Sequence, residues 1–396
     1  MMPPRSAIWG LGVSQCVYWG IIYYAFSVLL VPMREEFHAS NTAIVGAFSM
    51  GLGISALLAP HVGRWLDDGR GIALLRYGAW LGGVLLLAWS YVTSLTELYA
   101  VWVGLGVTMA AVLYETAFAL VVRMIEQPQS RLSALAIVTV MGGLSSTIFV
   151  PIVGTVIAHE GWRTALRVLM VIWVAAAAYM EWRTLPALHA AESRLTLAAA
   201  PQRSRLPLGL IVLVGVPFVV GIFAAMALTT LVIPMLVDQG QPIDRAAWVL
   251  AALGIMQLPG RIWLGRGSTA LPSSVLLVLP VILQATGLLL LAYAASLPIA
   301  FAGVGIFGLG AGLHTLARPW VVPQLFGVAS AGEVNGIIAR AQGIARAVGP
   351  ALAALTYGQF GSTVVFSLLA VAMALTIVLA TRASTQLAPS ARAAIE

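Results

Sequence analysis

The sequence predicts an all-α membrane protein with twelve transmembrane helices, arranged as two six-helix halves with pseudo-two-fold symmetry. Hydrophobic residues make up 60% of the 396 residues and charged residues only 9%, whereas a soluble domain carries about 25% charged residues. A chain of this composition cannot cover a water-facing surface of its own size. The composition therefore excludes a soluble enzyme, a nucleic-acid-binding domain and a secreted disulfide scaffold.

Twelve apolar runs are long enough to cross a bilayer, and we name them helices 1 to 12 in chain order. A transmembrane helix needs about 20 apolar residues, and long runs without alternation indicate helices rather than the strands of a barrel. The runs lie near 8–31, 43–64, 72–93, 97–123, 132–158, 163–185, 208–236, 246–264, 272–295, 298–325, 335–357 and 362–382.

The distribution of arginine predicts the orientation in the membrane. The chain contains no lysine, and all 21 basic residues are arginine. If the N-terminus is inside, 15 arginines lie on the cytoplasmic side and four lie in outer loops, namely Arg34, Arg163, Arg167 and Arg245. Because cytoplasmic loops are enriched in basic residues, we expect both termini to be cytoplasmic. We expect the membrane to be the inner membrane of a bacterium.

A repeat with an offset of about 200 residues divides the chain into two halves. Five pairs of landmarks occur in the same order in both halves: Pro32-Met33 and Pro234-Met235, Gly63-Arg64 and Gly260-Arg261, Gly69-Arg70-Gly71 and Gly265-Arg266-Gly267, Gly104-Leu105-Gly106 and Gly303-Val304-Gly305, and Pro151 and Pro350. The predicted domains are a six-helix bundle at 1–186, a polar cytoplasmic linker at 187–207, and a second six-helix bundle at 208–396.

The loop after helix 2 carries a recognisable motif. It reads Gly63-Arg64-Trp65-Leu66-Asp67-Asp68-Gly69-Arg70. Together with twelve helices in two parallel halves, this loop resembles the major facilitator superfamily, whose pattern here is Gly, three residues, Asp, two residues, Gly, Arg. In this sequence Gly69 stands one residue earlier than the second glycine of that pattern. The resemblance implies a gating loop formed by Gly63, Arg64, Asp67, Gly69 and Arg70, in which glycines permit a tight turn and a carboxylate pairs when the inner side closes. A merely polar loop is the alternative.

Within the superfamily, the sequence resembles the monocarboxylate and oxalate/formate transporter branch. The resemblance lies in Tyr23-Tyr24-Ala25-Phe26 of helix 1, in Gly142-Gly143-Leu144-Ser145-Ser146-Thr147 through Pro151 of helix 5, and in Gly161-Trp162-Arg163 after it. Drug–proton antiporters usually carry an arginine early in helix 4 and a Gly-Pro pair in helix 5. Here helix 4 opens with Trp102-Val103-Gly104, and Val150 rather than glycine precedes Pro151. Both departures from the antiporter pattern count against drug efflux.

Four ionisable residues lie within apolar runs, where such residues are costly and usually functional. They are Glu115 in helix 4, His314 and Arg318 in helix 10, and Arg346 in helix 11. The repeat places Glu115 and His314 at equivalent positions, and the resemblance implies that both face a central cavity. We expect this pair to carry a coupling proton, since histidine titrates near neutrality. The alternatives are an acid that pins helix 4 to a neighbour and a histidine that only packs.

Arg346 is the candidate for the main contact with an anion. Helix 11 begins near Asn335, so Arg346 lies about 11 residues in and roughly 16 Å deep, near the middle of a ~30 Å hydrocarbon core. Gln342 lies one turn earlier on the same face. A fixed positive charge there favours a substrate carboxylate, and a permanent pair with Glu115 is the alternative. Arg318 is either a secondary contact or extends to the inner interface.

Uncharged candidates for substrate contact lie on the helices expected to line the cavity. They are Tyr23, Tyr114 and Ser146, followed by Gln15, Tyr18 and Thr147. The sequence contains no phosphate-binding loop and no cluster of histidine and cysteine ligands. We therefore expect no cofactor, no metal site and no catalytic residues.

These features predict a secondary active transporter rather than an enzyme. We expect alternating access around a midplane site and proton-coupled symport of a small organic anion of the monocarboxylate type. Proton-driven efflux of amphipathic drugs or other small molecules, with Glu115 recognising cations, is the alternative. The expected partners are the anion, protons and membrane lipids, without nucleic acid, and we expect a monomer.

Overall fold

The computed structural model describes residues 5–125, 128–192, 207–265, 273–326 and 328–392. Every regular element in these ranges is a helix. Nine helical stretches among them are long and apolar enough to cross a membrane, judged by length and composition. The prediction of an all-helical membrane fold is confirmed.

Helices 1 to 6 contain several local irregularities. Helix 1 consists of Arg5–Trp19, a π-helical turn at Gly20–Tyr24, and Ala25–Glu36. Helix 2 is Asn41–Asp67, helix 3 is Gly71–Trp89, and helix 4 consists of Leu95–Val112 and Tyr114–Met124. Helices 5 and 6 together comprise Pro128–Gly143, Ser145–Tyr179, a π-helical turn at Met180–Thr184, and Leu185–Glu192. Ser40 and Ser94 begin helices 2 and 4 by accepting a backbone N–H three residues later, the usual role of an N-cap serine.

Helices 7 to 12 follow in the same order. Helix 7 is Leu208–Asp238, helix 8 is Ile243–Gly265, helix 9 is Ser273–Ala292, helix 10 is Leu297–Phe326, and helices 11 and 12 lie within Val328–Arg392. Residues 193–206 of the predicted linker lie outside the described ranges.

Two glycines separate consecutive helices that otherwise run on without interruption. Gly161 has φ 79° and ψ 166°, and Gly361 has φ 77° and ψ 177°. These angles suit glycine because it has no Cβ. Gly161 divides helix 5 from helix 6, and Gly361 divides helix 11 from helix 12. The two positions differ by the offset that relates the halves in the sequence.

The chain packs as two compact units that differ in one segment from the predicted halves. The first unit is Met1–Leu197 with Thr229–Ala251, and the second is Ala198–Leu228 with Ala252–Glu396. The end of helix 7 and the start of helix 8 therefore pack with helices 1 to 6. Packing does not test a gene duplication, so the predicted domain boundaries stay a prediction.

Each unit has its own apolar core. In the first unit, fully buried aromatic side chains form the centre, among them Trp89, Trp102 and Trp173. In the second unit, buried aliphatic residues of helices 7, 9, 10, 11 and 12 surround Phe218. These cores hold the helices that carry the candidate site residues.

Candidate functional site

Helix 4 is broken near its middle. Leu113 has φ −80° and ψ −169°, which is extended backbone, and it separates the segments that end at Val112 and begin at Tyr114. Glu115 lies in the first turn of the second segment and is exposed. Irregular backbone at membrane depth requires other partners for the groups that the helix no longer bonds. In transporters such broken helices frequently border the binding site.

Side chains take over the hydrogen bonds lost at this break. Gln15 of helix 1 donates from Nε2 to the Val112 carbonyl at 2.7 Å, and Gln15 is completely buried. Thr116 donates from Oγ1 to the Ala110 carbonyl at 3.2 Å. Helix 1 therefore replaces a backbone donor that a continuous helix 4 would have supplied.

An aromatic cluster joins the break in helix 4 to the π-helical turn of helix 1. The Trp19 ring centroid lies 4.9 Å from that of Tyr23 and 4.9 Å from that of Tyr114. Tyr114 also stacks on Phe118 at 4.8 Å. Two predicted contact residues, Tyr23 and Tyr114, are thus brought together by Trp19. Because π-helical turns recur at functional sites, this junction is a candidate wall of the substrate site.

Helix 5 approaches the same cluster. Gly142 faces the Tyr114 hydroxyl so closely that a Cβ would have no room. Ser146, one turn later, is completely buried. Within the described ranges its Oγ has no hydrogen-bond partner, and the same holds for Gln15 Oε1 and the Tyr18 hydroxyl. These buried polar atoms give the first unit unused hydrogen-bonding capacity.

In the second unit, His314 is enclosed by helices 7 and 9. Gln284 Nε2 lies 2.8 Å from His314 Nδ1, and because an amide nitrogen donates, Nδ1 accepts. The Phe218 ring stacks on the imidazole with centroids 4.4 Å apart. Gly221 lets helix 7 come this close, since a Cβ there would lie 2.6 Å from His314 Cε1. The histidine is 9% exposed.

Arg318 lies one turn beyond His314 and is half-buried. It donates from Nη1 to Gln342 Oε1, and Gln342 in turn donates from Nε2 to the Phe218 carbonyl at 3.1 Å. Arg346 lies one turn beyond Gln342 on helix 11 and is also half-buried. The second unit therefore joins three of the predicted site residues, His314, Arg318 and Gln342, through Phe218.

The predicted pairing of Glu115 with His314 involves one residue from each unit, and it stays a prediction. The same applies to the alternative pair of Glu115 with Arg346. Within the described ranges, no group of three or more histidine, cysteine or acidic side chains could hold a metal ion.

The loop after helix 2 forms a tight turn. Gly69 has φ 80°, and its N–H donates to the Leu66 carbonyl at 3.0 Å, while the Arg70 N–H donates to the Trp65 carbonyl at 2.8 Å. A left-handed glycine after a helix end is a common stop, which gives the early Gly69 a physical reason. Arg64 and Arg70 are exposed, whereas the Asp67 side chain lies outside what the structure describes.

Three residues of the second unit that contact His314 were not predicted from the sequence. Gln284 could have been chosen from the sequence, because it is a polar residue inside the apolar run of helix 9. Phe218 and Gly221 could not, since phenylalanine and glycine are common in membrane helices. Only the packing of helix 7 against helix 10 reveals them.

Comparisons with known proteins identify the family and the fold. The profile of the Major Facilitator Superfamily matches residues 11–268. Among solved structures, a bacterial homologue of the human lysosomal transporter Spinster, in an inward-facing and unoccupied conformation, is similar with a TM-score of 0.67 and 14% identity. That similarity covers 98% of this chain and 97% of the other, and at this identity it shows the fold. No curated protein sequence matches the chain.

Proposed function

Because the chain belongs to the major facilitator superfamily, whose members are secondary transporters, we propose that it carries a small organic anion of the monocarboxylate type together with a proton. One observation carries this proposal. Arg318 and Arg346 lie half-buried on apolar helices beside Gln342. The sequence from Ala252 to Glu396 contains two acidic residues, Glu333 and Glu396. The second unit thus has an excess of fixed positive charge.

Arg346 is the main anion contact in this proposal, and Arg318 is the second. A guanidinium binds a carboxylate through two parallel hydrogen bonds, and it keeps its charge at any accessible pH. Gln342 holds Arg318 in place and lies one turn from Arg346. Tyr23, Tyr114 and Ser146 of the first unit stay predicted contact residues.

His314 and Glu115 are the proposed proton carriers. In the observed arrangement His314 accepts a hydrogen bond at Nδ1, so a proton can bind there only after the Gln284 amide turns over. A proton on His314 adds a positive charge one turn from Arg318. That charge favours an anion beside Arg318, so we expect tighter anion binding at acidic pH. Such a dependence is expected when the anion and the proton bind together, as in a symporter.

One observation favours a second candidate function, the efflux of amphipathic cations. Glu115 is exposed at the start of the second segment of helix 4, next to the aromatic cluster of Trp19, Tyr23 and Tyr114. Aromatic faces together with a carboxylate bind organic cations. The same liposome experiment separates the two candidates.

The test uses purified protein in liposomes that contain a pH-sensitive dye. Short monocarboxylates, dicarboxylates and lipophilic cations are added one at a time, and protein-free liposomes measure the passive leak of neutral acids. Protein-dependent acidification with a carboxylate supports the anion proposal. A response to cations alone supports efflux. Silence across the panel contradicts both.

Substitution of Arg346 tests the proposed anion contact. Hydrogen bonds to a charged group contribute about 1.5–3 kcal/mol, so Arg346→Ala should weaken carboxylate affinity by roughly 10- to 150-fold. Arg340→Ala is the matched control, since Arg340 lies on the same helix and is exposed. Affinity is measured by competition for uptake. Unchanged affinity in Arg346→Ala would remove this residue from the site.

A further inference from the structure

We propose that Phe218 couples the protonation of His314 to the anion contact at Arg318. The ring of Phe218 stacks on His314. The backbone carbonyl of Phe218 accepts a hydrogen bond from Gln342, and Gln342 accepts one from Arg318. This inference rests on the proposed function, because it explains how a proton would change the affinity for the anion.

The first step is the contact between His314 and Phe218. The two rings stack at 4.4 Å with an interplanar angle of 30°, and Phe218 is 3% exposed. Gly221, almost one turn along helix 7, would place a Cβ 2.7 Å from His314 Nδ1. Helix 7 is therefore packed directly on the imidazole, and the ring cannot move without moving Phe218.

The second step runs through the backbone of Phe218. Its carbonyl accepts a hydrogen bond from Gln342 Nε2 at 3.1 Å. The other end of the same amide accepts from Arg318 Nη1. Gln342 is 8% exposed, so it has little freedom to exchange these partners for water. Gln342 thus connects the Phe218 backbone to the Arg318 guanidinium.

The third step is the effect of a proton on this cluster. A neutral imidazole stacks on a phenyl ring by dispersion, whereas an imidazolium is attracted electrostatically to the ring face. Gln284 must also turn its amide to present Oε1, which lies on the side of Gly221. The residues of helices 7 and 9 that face His314 are Phe218, Gly221 and Gln284, none of which titrates. Among the described residues, the charged group that acts on His314 is Arg318, on the same helix.

Protonation therefore acts on Arg318 in two ways. The added charge repels the guanidinium directly at a separation of one helical turn. The altered ring contact shifts the carbonyl that holds Gln342. Both effects loosen Arg318 from Gln342 and leave it better placed to receive a carboxylate. The ring of Phe218 is needed for the second effect and not for the first.

The experiment compares the affinity for pyruvate at two pH values in proteoliposomes. Pyruvate is a strong acid among monocarboxylates, which limits leak of its neutral form. In the wild type we expect affinity to be several-fold higher at about pH 5.5 than at about pH 7.5, because a bound carboxylate favours the charged form of a nearby imidazole. Two variants remove the ring, Phe218→Leu and Phe218→Met, and one conserves it, Phe218→Tyr.

We expect both ring-removing variants to lose at least half of the affinity ratio between the two pH values. Phe218→Tyr should retain the wild-type ratio. Phe307→Leu is the matched control, because Phe307 is a fully buried phenylalanine of the same unit. It should lower thermal stability without changing the ratio.

The outcomes separate this inference from the proposed function. A wild-type ratio in folded Phe218→Leu and Phe218→Met overturns the inference and leaves anion–proton symport in place. A reduced ratio in Phe307→Leu as well would assign the effect to general loosening of the core and would also overturn it. A wild type without pH-dependent pyruvate binding overturns the proposed function for this probe, and the inference with it.

Discussion

Individual buried amides make hydrogen bonds to backbone carbonyls of neighbouring helices. Gln15 donates to the Val112 carbonyl at the break in helix 4, and Gln342 donates to the Phe218 carbonyl on helix 7. A glutamine side chain reaches across a helix interface and offers both a donor and an acceptor. In apolar surroundings the loss of such a donor leaves a desolvated carbonyl, which is costly.

Gln15→Leu tests the role of this amide at the break. The substitution keeps an apolar side chain of similar size but leaves the Val112 carbonyl without its 2.7 Å donor. We expect a loss of about 1–3 kcal/mol in unfolding free energy, seen as a lower melting temperature in detergent. Ser27→Ala is the control, because Ser27 makes a local bond to the Tyr24 carbonyl three residues earlier. Equal melting temperatures for the two variants would contradict the role of Gln15.

At the scale of elements, glycines decide where consecutive membrane helices separate. Gly161 and Gly361 have backbone angles that residues with a Cβ avoid, and each divides a helix that otherwise continues for two spans. The break in helix 4 has a different origin. Leu113 is not a glycine, and Gln15 and Thr116 donate to the Val112 and Ala110 carbonyls that precede its extended backbone.

Gly161→Ala tests the turn between helices 5 and 6. Nothing lies within 4 Å of a Cβ built at this position, so the cost is conformational alone, about 1–3 kcal/mol for an unfavourable backbone region. We expect a lower melting temperature. Gly209→Ala, on helix 7 and equally open, should leave stability unchanged or slightly raised because alanine favours helices. A Gly161→Ala variant as stable as Gly209→Ala would show that the turn tolerates a Cβ.

At the scale of the molecule, the packing units follow contacts rather than the repeat. Arg34 at the end of helix 1 forms an ion pair with Asp238 at the end of helix 7, at 2.9 Å. Thr147 of helix 5 donates to the Ala251 carbonyl of helix 8 at 2.9 Å. Both contacts lie inside the first unit. They attach the segment Thr229–Ala251 to helices that the repeat assigns to the other half.

Arg34→Gln tests how far the ion pair holds this segment. Spin labels at Glu35 and Gln239, both exposed, report the separation of the two helix ends after the single cysteine, Cys16, is replaced by serine. We expect a broader and longer distance distribution in Arg34→Gln. High salt should produce part of the same effect in the wild type, since exposed pairs are screened.

Arg76→Gln is the control for this measurement. Arg76 pairs with Glu181 at 2.8 Å, and neither residue lies on helix 1 or helix 7, whose ends carry the labels. The control should therefore leave the label distance unchanged. A distance that responds equally to both substitutions would mean that the Arg34–Asp238 pair has no special part in holding the segment.

The sequence by itself determined the class of the protein, because composition and span length follow from the bilayer as solvent and not from detailed contacts between helices. A bilayer requires long apolar helices, and such helices are visible residue by residue. The predicted membrane fold and superfamily are confirmed. The intramembrane charges Glu115, His314, Arg318 and Arg346 could also be chosen from the sequence, since few residues of that kind lie at such depth.

The tertiary structure alone decided which of these residues meet and through what. The contacts of His314 with Phe218, Gly221 and Gln284 join helices far apart in the chain. The break at Leu113 likewise depends on a glutamine 98 residues earlier, on helix 1. The pattern of apolar residues along one segment shows whether that segment prefers lipid, protein interior or water. It carries no information on which neighbour supplies a hydrogen bond or leaves room for a ring, because those depend on how separate helices pack.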